Sequence, residues 1–421
     1  MKYNKMTINQ TTVHLIQTNK FKTVAMQVRF QNKLDQATVA QRGLLPFVLR
    51  SGTAKYPSSA AIQQQLEYLY GASFHVGVEK KGSLHTQYFN FSCVNDKFLP
   101  AGQTVLADVF AFLGEVLYAP KLTKGSFDPQ VVEQEKRLLI DKIRGIYDDK
   151  LQYSLMRLVE EMGAGEPFAI RAYGTIEDVS AITPEQLYAT YQSMLTQDEL
   201  EIYLVGDITP EQVETLILTH LQAAGAEHYE SRSRSEKVIT EVKHLSEAQA
   251  VTQAKLILGY RTHTYFGDEN FFALRVMNGI LGGYTHSKLF LNVREKASLC
   301  YFAASRIDGN AGIMYLYSGL DHDKVSDAEK LIIEQIDAVQ AGQFSDHDLE
   351  MTKLAMKNDV LEILDSATGM MSFYASINDM GVDWNVEQWL QAIDAVTREQ
   401  VITAANALQA DTTFVLTSQE A

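Results

Sequence analysis

The chain has 421 residues, 46% of them hydrophobic and 21% charged, with a formal net charge of −15. That length calls for two or more domains, and the composition is that of a globular protein with a substantial core. The acidic balance excludes a general nucleic-acid binder, which needs a basic footprint against phosphate; it serves solubility and suits clefts for neutral or basic peptides.

Along the chain, "TVHLIQ" at 12–17 and "TVAMQVRF" at 23–30 alternate in polarity and predict strands. Residues 40–50 are apolar at helical spacing. A second helix is expected over 59–70, entered through Pro57 and a serine cap and closed at Gly71. "SFHVGVEK" and "LHTQYFNFSCV" predict a strand pair joined through "KKGS". Helical patterns follow over 101–119, stopping at Pro120, then over 130–149, on to about Gly163, and again after Pro184. "ELEIYLVGDI" predicts a buried strand, and Thr209 with Pro210 opens the next helix.

From about Ala224 the chain turns polar and loses its apolar period, as expected of a linker over 224–245. The second half then repeats the order of the first. "QAKLILGYR" is a strand; "NFFALRVMNGILGG" and "SKLFLNVREKA" are helices; "SLCYFAASR" and "AGIMYLYSGL" are a strand pair. Residues 324–342 predict a helix, and 345–376 one long helix. "TREQVITAANAL" before "TTFVLT" matches "PEQLYATYQSML" before the last strand of the first half. This duplication, at a period of roughly 200 residues, implies two similar domains, 1–223 and 246–421. Mostly antiparallel strands with helices banked on one face give an α+β fold. Two such halves suit the enclosure of an extended peptide held by strand addition at a sheet edge.

Cys93 and Cys300 lie far apart in apolar runs, as buried free thiols do. No stretch has the length of a membrane span and the first residues have no apolar signal core, so a cytoplasmic protein without a membrane partner is expected.

"GLLPFVLRSGTAKYPSSAAIQQQLEYLYGASFHV" resembles the opening of the insulinase/pitrilysin-type peptidases, the inverzincins, and of their mitochondrial processing peptidase relatives. In that family the first helix carries His-x-x-Glu-His and is followed by Gly-Thr and Tyr-Pro-Ser. Gly52, Thr53, Tyr56, Pro57 and Ser58 match that tail. "VVEQEKRLLIDKI" resembles the downstream helix, which starts with a structural Glu and supplies the third zinc ligand seven residues on. "PFAIRAYGTIEDVSAITPEQL" resembles the segment before the last helix of the half. "LGGYTHSKLFLNVREKASLCYF" resembles the second-half signature, whose Arg and Tyr reach the substrate. The resemblance covers nearly the whole chain and implies the two-domain α+β fold of that family.

The departures decide the function. A catalytic zinc needs three or so N, O or S ligands and a general base nearby. In any register between Arg42 and Arg50 the chain offers Gly, Leu, Pro, Phe, Val and Arg, none of which is a ligand or a base. Seven residues past Glu135 stands Lys142, a cation in place of a carboxylate, and Asp141 points about 100° away on the helix. Other histidines do not rebuild a site. The clusters around His322 and His347 are expected to be helix N-termini with Asp or Ser caps, His244 and Glu247 lie by the linker, and His75 and His85 are strand residues.

Retained are Arg294 and Tyr301. The resemblance implies that this Arg holds substrate carbonyl oxygens and that the Tyr donates to the developing oxyanion. The bland alternative pairs Arg294 with Glu295 and buries Tyr301 in the core; Gly282 and Gly283 are expected to allow a tight turn beside them. The expectation is therefore the metal-free subunit of a two-chain zinc peptidase. A homologous zinc-bearing partner forms a heterodimer with it, zinc sits in the partner, a peptide is the substrate, and no cofactor belongs to this chain. A homodimer remains open to the isolated chain. The alternatives are a non-catalytic peptide-binding or scaffold protein, and a lone peptidase with an unrecognised metal site.

Overall fold

The computed structural model describes residues 1–222, 228–382 and 384–418; the start of the expected linker, 224–227, lies outside them. The chain forms two compact units. One comprises 1–144, 170–230 and 363–376, the other 145–169, 231–362 and 377–421.

The first unit is built on strands β1 (Lys2–Ile8), β2 (Thr11–Gln17), β3 (Thr23–Lys33), β4 (Ser73–Lys81), β5 (Leu84–Val94) and β8 (Glu199–Gly206), with a small ribbon of β6 (Leu122–Thr123) and β7 (Ser126–Phe127). The sheet order is β1-β2-β8-β3-β5-β4. Only β2 and β8 run parallel. The second unit holds β9 (Lys243–Gln249), β10 (Ala254–Arg261), β11 (Cys300–Asp308), β12 (Ile313–Leu320) and β13 (Gln409–Ser418), in the order β11-β12-β10-β13-β9, with only β9 and β13 parallel. Superposing β2, β3, β4, β5 and β8 in chain order on β9 to β13 reproduces the same neighbours and the same single parallel pair. The duplication thus covers five strands of each sheet, with β1 and the β6–β7 ribbon particular to the first unit, and the fold is α+β as expected.

The repeat extends to buried charge. In the first unit, Arg29 on β3 lies opposite Glu201 on β8, both about fully buried, with Nη1 3.9 Å from the carboxylate. In the second, Arg261 on β10 donates to Asp411 on β13 at 2.8 Å. A charge buried in a sheet needs such a partner, since an unpaired one carries a desolvation penalty of several kcal/mol.

Cap chemistry repeats as well. Thr183 and Gln186, like Thr397 and Gln400, form reciprocal capping boxes at matching helices, so "TPEQ" and "TREQ" each satisfy two orphan N–H groups.

Each unit also contains a helix from the other half. The helix Lys150–Met162 lies in the second unit, where Tyr153, Leu158 and Met162 share one core with Ile257, Phe414 and Leu416. Gly259 on β10 makes this approach possible, because a Cβ there would collide with the Met162 sulfur. Its counterpart, Ala367–Asp379, lies largely in the first unit, where Tyr374 stacks on Tyr3 of β1 at 4.4 Å.

Four elements differ from expectation. Strands β1 and β9 have polar sequences, KYNKMTI and KHLSEAQ, and each is the outer strand of its sheet, so neither carries a strong apolar signal. The long helix expected over 345–376 is two helices, Asp346–Ile363 and Ala367–Asp379. Ser366 restarts the chain, its hydroxyl accepting from the Gly369 N–H at 2.9 Å. The helix after Lys97 begins only at Leu106.

Candidate functional site

The first half of the site lies on two helices of the first unit, Val39–Arg50 and Pro129–Asp148. Their junction is fixed by Glu135, which is 4% exposed and accepts a 2.7 Å hydrogen bond from Ser51. Two turns further along the second helix, Lys142 projects over Phe47, its ammonium 5.3 Å from the ring centroid. It also donates a 2.7 Å hydrogen bond to the Tyr173 hydroxyl and sits 4.5 Å from that ring. One turn before Phe47, a Cβ on Gly43 would meet the Tyr173 backbone and ring at 3.3 Å. Positions 43 and 47 therefore share the face that looks toward 142.

This contact sets the register that the sequence leaves open. The residues at the spacing of His-x-x-Glu-His are Gly43, Pro46 and Phe47, and the third ligand position is Lys142. None offers a lone pair to a metal, and Lys142 brings positive charge. Zinc does not fit this face. Asp141 turns away to Arg144 at 3.2 Å.

Pro46 sits inside the helix and cannot donate to the carbonyl of Arg42. That carbonyl instead accepts from the Gln87 side-chain amide at 2.8 Å, donated from β5. The Arg42 guanidinium is buried too, bound to Asp198 at 2.6 Å. The helix has been rebuilt around a proline.

The second-half residues lie at a helix-to-strand corner. Arg294 is on Leu289–Lys296, a π-helical segment, where the Ala297 N–H reaches the Asn292 carbonyl at 3.1 Å. Such widened turns recur at functional sites. The Arg294 guanidinium stacks over Phe290 at 4.5 Å and pairs with Glu295 at 3.5 Å. The chain then passes through Ser298 at φ +51° into β11. Cys300 pairs with Leu320 and Phe302 with Gly319, which leaves Tyr301 in a bulge. A bulge re-aims its side chain, and Tyr301 is 56% exposed, not a core tyrosine. Its hydroxyl donates to Asp321 at 3.1 Å, and that carboxylate pushes the Tyr301 pKa up. Among the described residues no hydrogen bond joins Arg294 to Tyr301.

Gly282 serves close packing: a Cβ there would strike Ser305 and Leu289 at 2.5 and 2.7 Å. Asp321 caps nothing with its side chain; it serves Tyr301 instead. Ser345 and Asp348 form the reciprocal cap expected near His347. His85 is fully buried, and burial followed by the charge of Arg42 pushes its pKa down to about 3. Among the described residues no three His, Cys, Asp or Glu side chains converge as a metal site. Cys93 and Cys300 are buried and free, and burial first pushes their thiols up to about 12 and about 11. Among the described residues no helix is long and apolar enough to cross a membrane.

Sequence reasoning named Lys142 but missed its aromatic seat, Phe47 and Tyr173. The local signal was the four-residue spacing of Gly43 and Phe47, which puts both on one face of the helix.

Over 97% of its length the chain is 39% identical to a protein of Bacillus subtilis described as "Probable inactive metalloprotease YmfF", covering 96% of that relative. The chain belongs to the M16 peptidase family. The family model "Peptidase M16 inactive domain" matches residues 181–356. Among solved structures, a conserved protein of Enterococcus faecalis V583 superposes with a TM-score of 0.92 at 31% identity, covering 100% of both chains. A peptidase M16 inactive domain from Pseudomonas fluorescens has the same fold, with a TM-score of 0.82 at 16% identity over 100% of this chain and 99% of that one. The ligand-free helix face agrees with what these M16 names say: the chain is an M16-type peptidase homologue of the inactive kind.

Proposed function

We propose that this M16 homologue is the non-metal-binding subunit of a heterodimeric zinc-dependent peptidase of the processing-peptidase type. A homologous partner supplies zinc and general base, and this chain supplies Arg294, Tyr301 and half of the peptide chamber. The observation that carries this reading is an asymmetry between the halves. The metal face has been refilled with Gly43, Pro46, Phe47 and Lys142, while the second-half corner still holds Tyr301 outward on a bulge. A protein retained only as a scaffold has no need of a half-exposed phenol at that corner.

The chemistry follows from the residue types. The guanidinium of Arg294 presents several N–H donors to peptide carbonyl oxygens. Tyr301 keeps its proton at neutral pH, since Asp321 disfavours the phenolate, so it remains a donor for an oxyanion. The outer strands β4 and β11 offer edges to which an extended peptide adds as a further strand.

The test is to mix the purified chain with a zinc-bearing M16 homologue and follow cleavage of a peptide pool. Activity is expected only in the mixture. Tyr301→Phe should lower kcat by roughly 10²-fold, the effect of one lost oxyanion donor, and Arg294→Ala should mainly raise KM. The second reading, a non-catalytic peptide-binding or scaffold protein, rests on the inactive-type relatives. It predicts that neither substitution changes the activity of any mixture.

A further inference from the structure

The face that has lost its metal ligands has gained two cations. Arg50 and Lys142 both pack on the Phe47 ring, at 5.9 and 5.3 Å from its centroid. Lys142 is exposed and donates only to the neutral Tyr173 hydroxyl; Arg50 is half-buried. Neither forms an ion pair with a carboxylate among the described residues, although the chain carries 52 acidic residues against 37 basic ones. The nearest acidic residue in sequence, Asp141, is engaged by Arg144. Two like charges gathered on one aromatic floor, without a counter-ion, form a place for an external anion.

The neighbourhood indicates what carries that anion. The segment that carries Tyr173 is tied to β4, whose Lys80 donates to the Ile170 carbonyl at 2.8 Å, and the Tyr88 phenol crosses Gly77 on β4, where a Cβ would overlap it. β4 is an outer strand of its sheet. A peptide added along this edge passes the cation pair, and a carboxylate is the anionic group a peptide brings. The guanidinium fork of Arg50 suits a carboxylate, and Lys142 supplies a point charge.

We propose that Arg50 and Lys142, seated on Phe47 and Tyr173, form a binding site for a peptide carboxylate where other family members hold a metal. This rests on the reading of the chain as a peptide-holding subunit. The cations replace the metal's positive charge without its chemistry, so this half of the protein grips a peptide and does not cut it.

The test uses fluorescence polarisation with the full chain and three fluorescein-labelled pools of randomised peptides of about ten residues, a length that spans a strand. One pool has free carboxyl ends and lacks Asp and Glu. One has amidated ends and lacks them too. One has amidated ends and includes them. The first pool is expected to bind on the order of tenfold more tightly than the second, the effect of a charge-assisted bond. That gain should shrink with salt and vanish in the Arg50→Gln, Lys142→Met double variant. Both positions are solvent-reached, and retention of the wild-type melting transition certifies the fold. If the third pool also binds more tightly than the second, side-chain carboxylates are accepted as well as the C-terminal one; if it matches the second, the site takes the C-terminal carboxylate alone. Equal binding of all three pools, or a gain that survives in the double variant, overturns the carboxylate site while leaving the peptide-holding reading in place. No binding by any pool overturns both.

Discussion

The proline in the helix Val39–Arg50 gives the most specific energetic prediction. Pro46 leaves the Arg42 carbonyl without its helical donor, and Gln87 supplies one from β5 at 2.8 Å. Gln87 is fully buried, so Gln87→Leu strands a buried carbonyl, at a cost of about 1–3 kcal/mol. The amide oxygen of Gln87 has no partner of its own, and removing it offsets part of that cost. The expected net loss is therefore about 1–2 kcal/mol. Pro46→Ala restores an N–H at position 46, which closes the ordinary helix bond to Arg42, and should by itself raise stability. In that background Gln87→Leu should cost less than about 0.5 kcal/mol, because the carbonyl is already satisfied. Urea unfolding of the wild type, both single variants and the double variant, followed by circular dichroism, closes the cycle. If Gln87→Leu lowers stability equally in both backgrounds, Gln87 is not the substitute donor and the account of the rebuilt helix fails.

The other predictions concern the two sheets. Leu158 belongs to the first half in sequence but is fully buried in the core of the second unit; Leu158→Ala should cost about 2–5 kcal/mol and speed amide exchange in β10 and β13. Equal exchange in those strands would refute the exchange of helices. Glu201 governs acid stability. Burial alone would raise its carboxyl, but the His14 ring 3.6 Å away and the charge of Arg29 outweigh burial and hold it at about 2. The unfolded chain therefore takes up this proton first, near 4.5, so the stabilisation is full above that pH and is lost as the pH falls toward 2. Glu201→Gln should flatten the acid limb of the stability profile over that window, and an unchanged limb would count against the assignment.

Much of this was legible in the sequence where chemistry is local. Capping boxes such as Thr183 with Gln186 are written within four residues, and buried strands such as β8 announce themselves by apolar runs. The missing metal ligands could be read from any register between Arg42 and Arg50. What was hidden is relational. Edge strands β1 and β9 pair on one side only, so their sequences need not be apolar. The break at Ser366 falls among the weak helix formers Asp365, Ser366, Thr368 and Gly369, between two helical runs, and the chain leaves one unit for the other beside it. The contact of Lys142 with Phe47 joins residues 95 positions apart in the chain, and the partnership of Tyr301 with Asp321 depends on a bulge that no local pattern marks. Function followed the same division: what the chain has lost was visible in the sequence, and what took its place required the fold.

The central claim is that this M16 homologue does not hold zinc. Its most direct test is elemental analysis of the purified chain after exposure to zinc and desalting, beside a zinc-bearing M16 homologue treated identically. The account predicts no retained zinc, since Gly43, Pro46, Phe47 and Lys142 offer no ligands. About one zinc per chain would contradict it.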